Sequence, residues 1–190
     1  TGGILRCNDD GSNLEIISRG FRNPWDIAFD NRFDWLGTDN DQTMGDKIFT
    51  PFFGSHFGWG HPWSYDWKGD GHLPTAPSSG PLFEGSGAGV IHCAIPGYPN
   101  NYNNVFFIND WLNREIFIYR SRWDGAWRKP DRLQLEVLAH AGGGRSMPLS
   151  KGRSFDPVDI EMGPDGAIWI TSWGRQYGAH YEDNKLANEG

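Results

Sequence analysis

The chain has 190 residues, with 17 Lys and Arg against 24 Asp and Glu, for a formal charge of −7. That acidic balance leaves no electrostatic footprint for nucleic acid or an anionic membrane. Aromatic residues make up 15%, including ten Trp, which excludes a disordered chain because such a sequence can bury enough apolar surface to offset its ordering entropy. No run of 18 apolar residues occurs, so no transmembrane helix is encoded.

In chain order, short runs rich in β-branched and aromatic residues predict strands at 3–6, 14–18, 25–29, 34–38, 90–95, 105–109, 115–120, 135–139, 158–162 and 167–171. Turn pairs punctuate them: Asp10-Gly11, Asp124-Gly125 and Asp165-Gly166. Helical periodicity is almost absent, so the fold class is all-β: a sandwich, a barrel or a propeller. Residues 52–89, aromatic and rich in Gly and Pro, read as an insertion-like loop. Cys7 and Cys93 lack metal or redox spacing and read as free or buried thiols, with a long-range disulfide as the alternative. The chain opens at Thr1 and ends in a polar stretch from Asn184, which reads as a piece of a longer protein.

An internal repeat favours the propeller over a sandwich with chance similarity. Pro24-Trp25-Asp26-Ile27-Ala28-Phe29 is echoed by Pro157-Val158-Asp159-Ile160-Glu161-Met162, and the register continues to Leu36-Gly37-Thr38 and Trp169-Ile170-Thr171. The offset is 157 − 24 = 133 residues, three units of about 44, the length of a propeller blade. A weaker copy of the second strand, Val105 to Trp111, matches Ala167 to Trp173 at an offset of 62, so insertions are expected. The expectation is one incomplete domain over 1–190, about three blades, because three cannot close a ring.

The densest polar cluster is Arg22-Asn23-Pro24 with Thr38-Asp39-Asn40-Asp41 and Asp46. A charged residue just before an innermost strand can point at a channel ligand, and Arg supplies five donors in a fork suited to carboxylates. Asp39, Asn40, Asp41 and Asp46 are hard oxygen donors of the kind Ca²⁺ takes. The alternative is a Pro-initiated strand beside an Asx-rich turn capped by its own side chains. In the loop His56 to Trp67, Trp59 and Trp63 either stack on sugar rings or pack beneath the loop.

Gly20-Phe21-Arg22-Asn23-Pro24-Trp25-Asp26-Ile27-Ala28-Phe29, Thr38-Asp39-Asn40-Asp41, Phe57-Gly58-Trp59, Asn109-Asp110-Trp111 and Asp159-Ile160…Gly163-Pro164-Asp165-Gly166 together resemble the glucose/sorbosone dehydrogenase family, and most of all its membrane-bound dehydrogenase group. The resemblance implies a six-bladed propeller that uses pyrroloquinoline quinone (PQQ) and Ca²⁺ and oxidises a sugar or alcohol hydroxyl by hydride transfer to the quinone. It further implies a periplasmic or secreted protein and an electron acceptor such as a cytochrome. Arg22 and Asn23 match the family's quinone-lining pair, and the turn that offers carbonyls to Ca²⁺ falls on Asp41 and Gln42, next to Asp39.

The chain departs from that pattern where the family closes its site with R-x-R-D. Here the stretch reads Asp156-Pro157-Val158-Asp159, and an acid facing a tricarboxylic cofactor would repel it. The family's His base falls before residue 1, so this chain alone is expected to be inactive. Two rivals stay open: a non-catalytic propeller that binds carbohydrate or a protein partner, and a Ca²⁺-dependent lactonase-like propeller. His56, His61, His72 and His92 read as surface or hydrogen-bonding residues, Gly85 to Gly89 as a linker or turn, and Ser121 to Trp127 as a turn between outer strands.

Overall fold

The computed structural model describes residues 2–40, 47–59, 76, 78–80, 87–111, 113–131, 135–140 and 155–173. Every predicted strand has a counterpart within three residues at either end. They are β1 (Gly2–Arg6), β2 (Glu15–Phe21), β3 (Pro24–Phe29), β4 (Trp35–Asp39), β5 (Lys47–Phe49), β6 (Ser55–His56), β7 (Gly87–Cys93), β8 (Val105–Asp110), β9 (Glu115–Tyr119), β10 (Ser121–Asp124), β11 (Trp127–Pro130), β12 (Glu136–His140), β13 (Pro157–Met162) and β14 (Ile168–Ser172). The short β5 and β6 and the hairpin β10–β11 were not predicted as strands. Runs of two to four residues give too few alternations to register as a period.

The sheets are β1-β2-β6, β3-β4-β5, β7-β8-β9-β12, β10-β11 and β13-β14. Three of them begin with equivalent strands. Pro24 pairs with Asp39, Asp26 with Thr38 and Ala28 with Leu36. Pro157 likewise pairs with Ser172, Asp159 with Thr171 and Glu161 with Trp169. Between them Gly87 pairs with Asp110, Val90 with Ile108 and Ile91 with Phe107. All three pairings carry a register shift just after the first residue. The repeat starts therefore fall at 24, 87 and 157, steps of 87 − 24 = 63 and 157 − 87 = 70 residues. The 133-residue offset thus spans two lengthened steps rather than three units of about 44. The weaker copy predicted at an offset of 62 is β8 against β14: Asp110 and Ser172 hold equivalent positions, each paired with the first residue of its sheet.

The first strands stand side by side, β7 packed between β3 and β13. On the β3–β4 face toward β7, the Asp26 carboxylate accepts the Val90 N–H at 2.8 Å and the Thr38 hydroxyl donates to the Ala88 carbonyl at 2.6 Å. Ala28 and Leu36 fill the space between these bonds against Val90, Phe106 and Ile108. On the next face Ile91 and Phe107 meet Ile160, with Ile168 and Ile170 packed alongside. Gly89 occupies the place of Asp26, because a Cβ there would lie 2.8 Å from the Asp159 Cα. This close approach corrects the linker reading of Gly85 to Gly89. Gly87 to Gly89 belong to the buried strand β7, and the insertion-like segment must end before it. A glycine inside a strand marks exactly such a backbone approach.

The hairpin β10–β11 ties the middle sheet back to the first. Buried Arg128 donates to Asp30 at 2.8 Å and to the Ser121 hydroxyl at 2.9 Å, and its guanidinium lies between the rings of Trp123 and Phe106 at 5.0 and 5.2 Å. Partial burial works to raise the Asp30 pKa, but the hydrogen bonds from Arg128 and from the amides of Arg32 and Asp34 outweigh it, so the pKa lies below its ordinary value. Cys7 is an exposed free thiol and Cys93 a buried one. Replacing Arg128 by Ala strips a buried cation from its partners and is expected to cost about 3 kcal/mol in urea unfolding. Asp30's share of stability is fully present above the unfolded pKa near 3.8 and is lost as pH falls through the lowered folded value. The stability difference between Arg128→Ala and the parent is therefore expected to narrow in that acid range. An equal difference at pH 7 and pH 3 would contradict the pairing.

Candidate functional site

The start of β3 and the end of β4 bring together the cluster that the sequence singled out. Pro24 opens β3 with its φ preset and without an N–H to satisfy. The two residues before it are then fixed by Asp39, whose fully buried carboxylate accepts the Asn23 N–H at 2.8 Å and the Arg22 N–H at 3.3 Å. The Asn40 N–H donates to the Asn23 carbonyl at 3.1 Å, and Arg22 Nη1 donates to the Asn40 carbonyl at 3.0 Å. Backbone is locked here while the side chains of Arg22 and Asn23 remain exposed.

Trp59 completes the group. Its N–H donates to the Gly20 carbonyl at 2.9 Å, and its ring centroid lies 6.0 Å from the Arg22 guanidinium carbon. The chain reaches this position because Gly20 adopts φ +81°, where a Cβ would strike the His56 ring at 2.6 Å. His56 accepts the Gly58 N–H through Nδ1 at 3.0 Å, and His92 faces Asn104 at 3.2 Å, so both act as hydrogen-bonding histidines.

Of the predicted site residues, Arg22, Asn23, Asp39 and Trp59 come together. Asp41, Gln42 and Trp63 lie outside the described residues, as does Asp46. Among the described residues no group of three or more His, Cys, Asp or Glu side chains is arranged to hold a metal ion. Each Asp39 oxygen accepts a backbone N–H from across the sheet, at Asn23 and Arg22, rather than from its own turn.

The same end of the next two sheets carries features that the sequence reading missed. Ser172, at the position of Asp39, accepts the Asp156 N–H at 2.8 Å, so the latch on the residue before the first strand is repeated with a hydroxyl in place of a carboxylate. Asp156 is buried, and the Arg114 Nε lies 3.4 Å from its carboxylate, itself buried. This corrects the expectation that Asp156 confronts an acidic ligand: its charge is held by Arg114 inside the protein. Arg114 sits at φ +61° in the turn after β8. Trp111 and Trp173 pack with ring centroids 5.7 Å apart at this end. The Asn109-Asp110-Trp111 and Thr171-Ser172-Trp173 match was the signal in the sequence for the tryptophan pair. Nothing there foretold the ion pair, whose members are 42 residues apart (156 − 114).

No model of a known protein family matches the chain, and no curated protein does. Solved structures do match. The PQQ-bound aldose sugar dehydrogenase of Streptomyces coelicolor superposes with a TM-score of 0.61 at 16% identity, over 90% of this chain and 46% of its own. The soluble aldose sugar dehydrogenase of Escherichia coli, in its apo form, gives 0.57 at 18% identity, over 87% and 46%. A glucose dehydrogenase of Thermus thermophilus gives 0.60 at 15% identity, over 87% and 42%. The chain has the fold of part of a sugar dehydrogenase. It spans less than half the length of each of these structures, and at such identities the likeness is one of fold.

A variant tests the newly found pair. Arg114→Ala leaves Asp156 buried without its cation and is expected to lower stability by about 3 kcal/mol in urea titration. The double change Arg114→Ala with Asp156→Ala should recover part of that loss. A double variant as unstable as the sum of both single variants would contradict a coupled pair.

Proposed function

We propose that this chain supplies part of the cofactor-binding end of a PQQ-dependent oxidoreductase that oxidises a sugar or alcohol hydroxyl. The observation that carries the reading is Arg22 beside the face of Trp59, with Asn23 next to it and the backbone of both residues locked by Asp39. A cation next to an indole face suits a planar, acidic, aromatic ligand, because the guanidinium can bond carboxylates while the ring stacks on the π-system. The fold likeness to sugar dehydrogenases, one of them solved with PQQ bound, supports the same reading. The pairing of Asp156 with Arg114 is compatible with it, since the charge of that acid is met inside the protein.

The roles follow from position. Arg22 holds and orients the anionic edge of the quinone, and Asn23 offers an amide at its rim. Asp39 keeps the backbone of both in place through their N–H groups, so that only the side chains are ordered on binding. Trp59 supplies the stacking face, and with Trp63 it excludes water from the sugar. Asp41 and Gln42, on the turn that follows Asp39, are the proposed neighbourhood of the Ca²⁺, through oxygens of that turn; the Asp39 carboxylate is taken up by the N–H groups of Arg22 and Asn23. When bound, the quinone supplies the hydride acceptor. We place the complete protein outside the cytoplasm, handing its electrons to an acceptor such as a cytochrome, with six blades of which this chain carries about three. The described residues contain no helix long and apolar enough to cross a membrane.

Trp fluorescence under PQQ titration tests this directly. The parent chain is expected to show saturable quenching that strengthens with Ca²⁺, and Arg22→Ala should weaken it at least tenfold while leaving thermal unfolding unchanged. Sugar-induced quenching with no response to PQQ would favour the carbohydrate-binding propeller instead. Turnover of a lactone with Ca²⁺ and no quinone would favour the lactonase-like alternative.

A further inference from the structure

Lys is among the side chains least often found inside a protein, because its ammonium is strongly hydrated and is buried almost only when it has partners. Lys47, the first residue of β5, is only 2% exposed. It stands directly opposite Asp39 in the β4–β5 register, so the two side chains leave the same face of the sheet. Asp39 is itself fully buried. Two opposite charges thus leave neighbouring strands at one place in the sheet, and each is bonded to a different half of the site.

The acid holds the Arg22 half, through the N–H groups of Arg22 and Asn23. The base holds the Trp59 half. Lys47 Nζ donates to the Phe57 carbonyl at 3.1 Å in a buried bond. Phe57 is the fixed point of the segment that carries Trp59. Its ring is fully buried against Phe21 and Phe49, with centroids 4.6 and 5.5 Å away, and its N–H donates to the Arg19 carbonyl at 2.9 Å. The next two N–H groups go to the His56 ring, from Gly58, and to the Gly20 carbonyl, from Trp59. With the Phe57 carbonyl on Lys47, the backbone of residues 57–59 is tied both to β2 and to β5. A buried carbonyl deprived of that donor bears the full cost of an unmade bond, so the segment would shift until water reached it.

We infer that Lys47 is a positioning residue of the binding end: its ammonium, through the Phe57 carbonyl two residues earlier, sets the Trp59 ring against the Arg22 guanidinium. Asp39 and Lys47 then work as a cross-strand pair of opposite charge, the carboxylate arranging N–H groups and the ammonium arranging a carbonyl. Lys47 itself stays out of contact with the ligand. The use of this arrangement for a planar, anionic ligand rests on the reading proposed above. The placement of Trp59 by Lys47 does not, so the two can fail separately.

Fluorine NMR of the ligand-free chain labelled with fluorotryptophan tests it, each Trp signal being assigned by its loss in the corresponding Trp→Phe variant. In the parent, Arg22→Ala should shift the Trp59 signal, because the cation leaves the ring. Lys47→Met keeps most of the apolar stem and removes the ammonium. It is expected to move the Trp59 signal, to abolish its response to Arg22→Ala, and to leave the signals of Trp111 and Trp173 in place. Lys47→Arg, which keeps a donor, should restore the parent pattern. PQQ quenching should weaken by roughly five- to tenfold in Lys47→Met, the cost of ordering the segment on binding, and recover in Lys47→Arg. An unchanged Trp59 signal in folded Lys47→Met would overturn the inference. So would the collapse of every Trp signal in both the Met and the Arg variants, which would make Lys47 a support of the whole fold. If Lys47→Met alone unfolds, Lys47→Gln, whose donor falls one bond short, is read by the same signal with the same two outcomes. A parent that does not bind PQQ while its Trp59 signal follows Lys47 would sink the quinone reading and leave the inference standing.

Discussion

A single carboxylate sets the spacing of the row of sheets. Asp26 projects from β3, accepts the Ile27 N–H with one oxygen and reaches the Val90 N–H on β7 with the other, both at 2.8 Å. Burial raises its pKa, and the amides of Val90 and Ile27 restrain the rise while the charges of Asp159 and Glu161 add to it. A half-buried carboxylate that accepts two amides is satisfied only while both strands stay in place, so it specifies their distance and register as well as stabilising them. With Thr38 on Ala88, it makes a polar frame around Ala28 and Leu36. The second interface uses the opposite device: Gly89 removes the side chain altogether and lets β13 come into backbone contact.

These inner contacts explain why the candidate site lies where it does. The residues just before β3 and β13 lie at one end of the row and are held there by the last residue of the neighbouring strand, Asp39 in the first sheet and Ser172 in the third. Such a latch fixes the backbone and leaves the side chain to its surroundings. Where the latched residue is Asn23, its side chain is exposed. Where it is Asp156, Arg114 takes its charge into the interior. The same scaffold thus presents a polar group in one repeat and conceals one in another.

Much of this was legible in the sequence, for definite reasons. The P-x-D-I echo at Pro24 and Pro157 keeps its meaning because the proline starts the strand and the Ile enters the core, and both constraints are local. The step length was not legible. Residues 60–86 and the hairpin β10–β11 lengthen the units, and an insertion leaves no trace in a two-residue period. Arg22 and Asn23 could be picked out because they stand just before a proline-started strand in a block that resembles a known family, and Trp59 because aromatic residues crowd its loop. Arg114–Asp156 and Arg128–Asp30 could not be, because a long-range ion pair depends on which loops the fold brings together. Gly89 misled for a similar reason: its neighbour across 2.8 Å is 70 residues away (159 − 89).

The central claim is that the end of the row carrying Arg22 and Trp59 is the ligand-binding end. The most direct test is a crystal structure of the chain grown with PQQ and Ca²⁺. The account predicts density for the quinone stacked on Trp59, with a carboxylate bonded to Arg22 and the ion near the turn that follows Asp39. Density only away from the Trp59 face, or none there in crystals soaked to saturation, would contradict it.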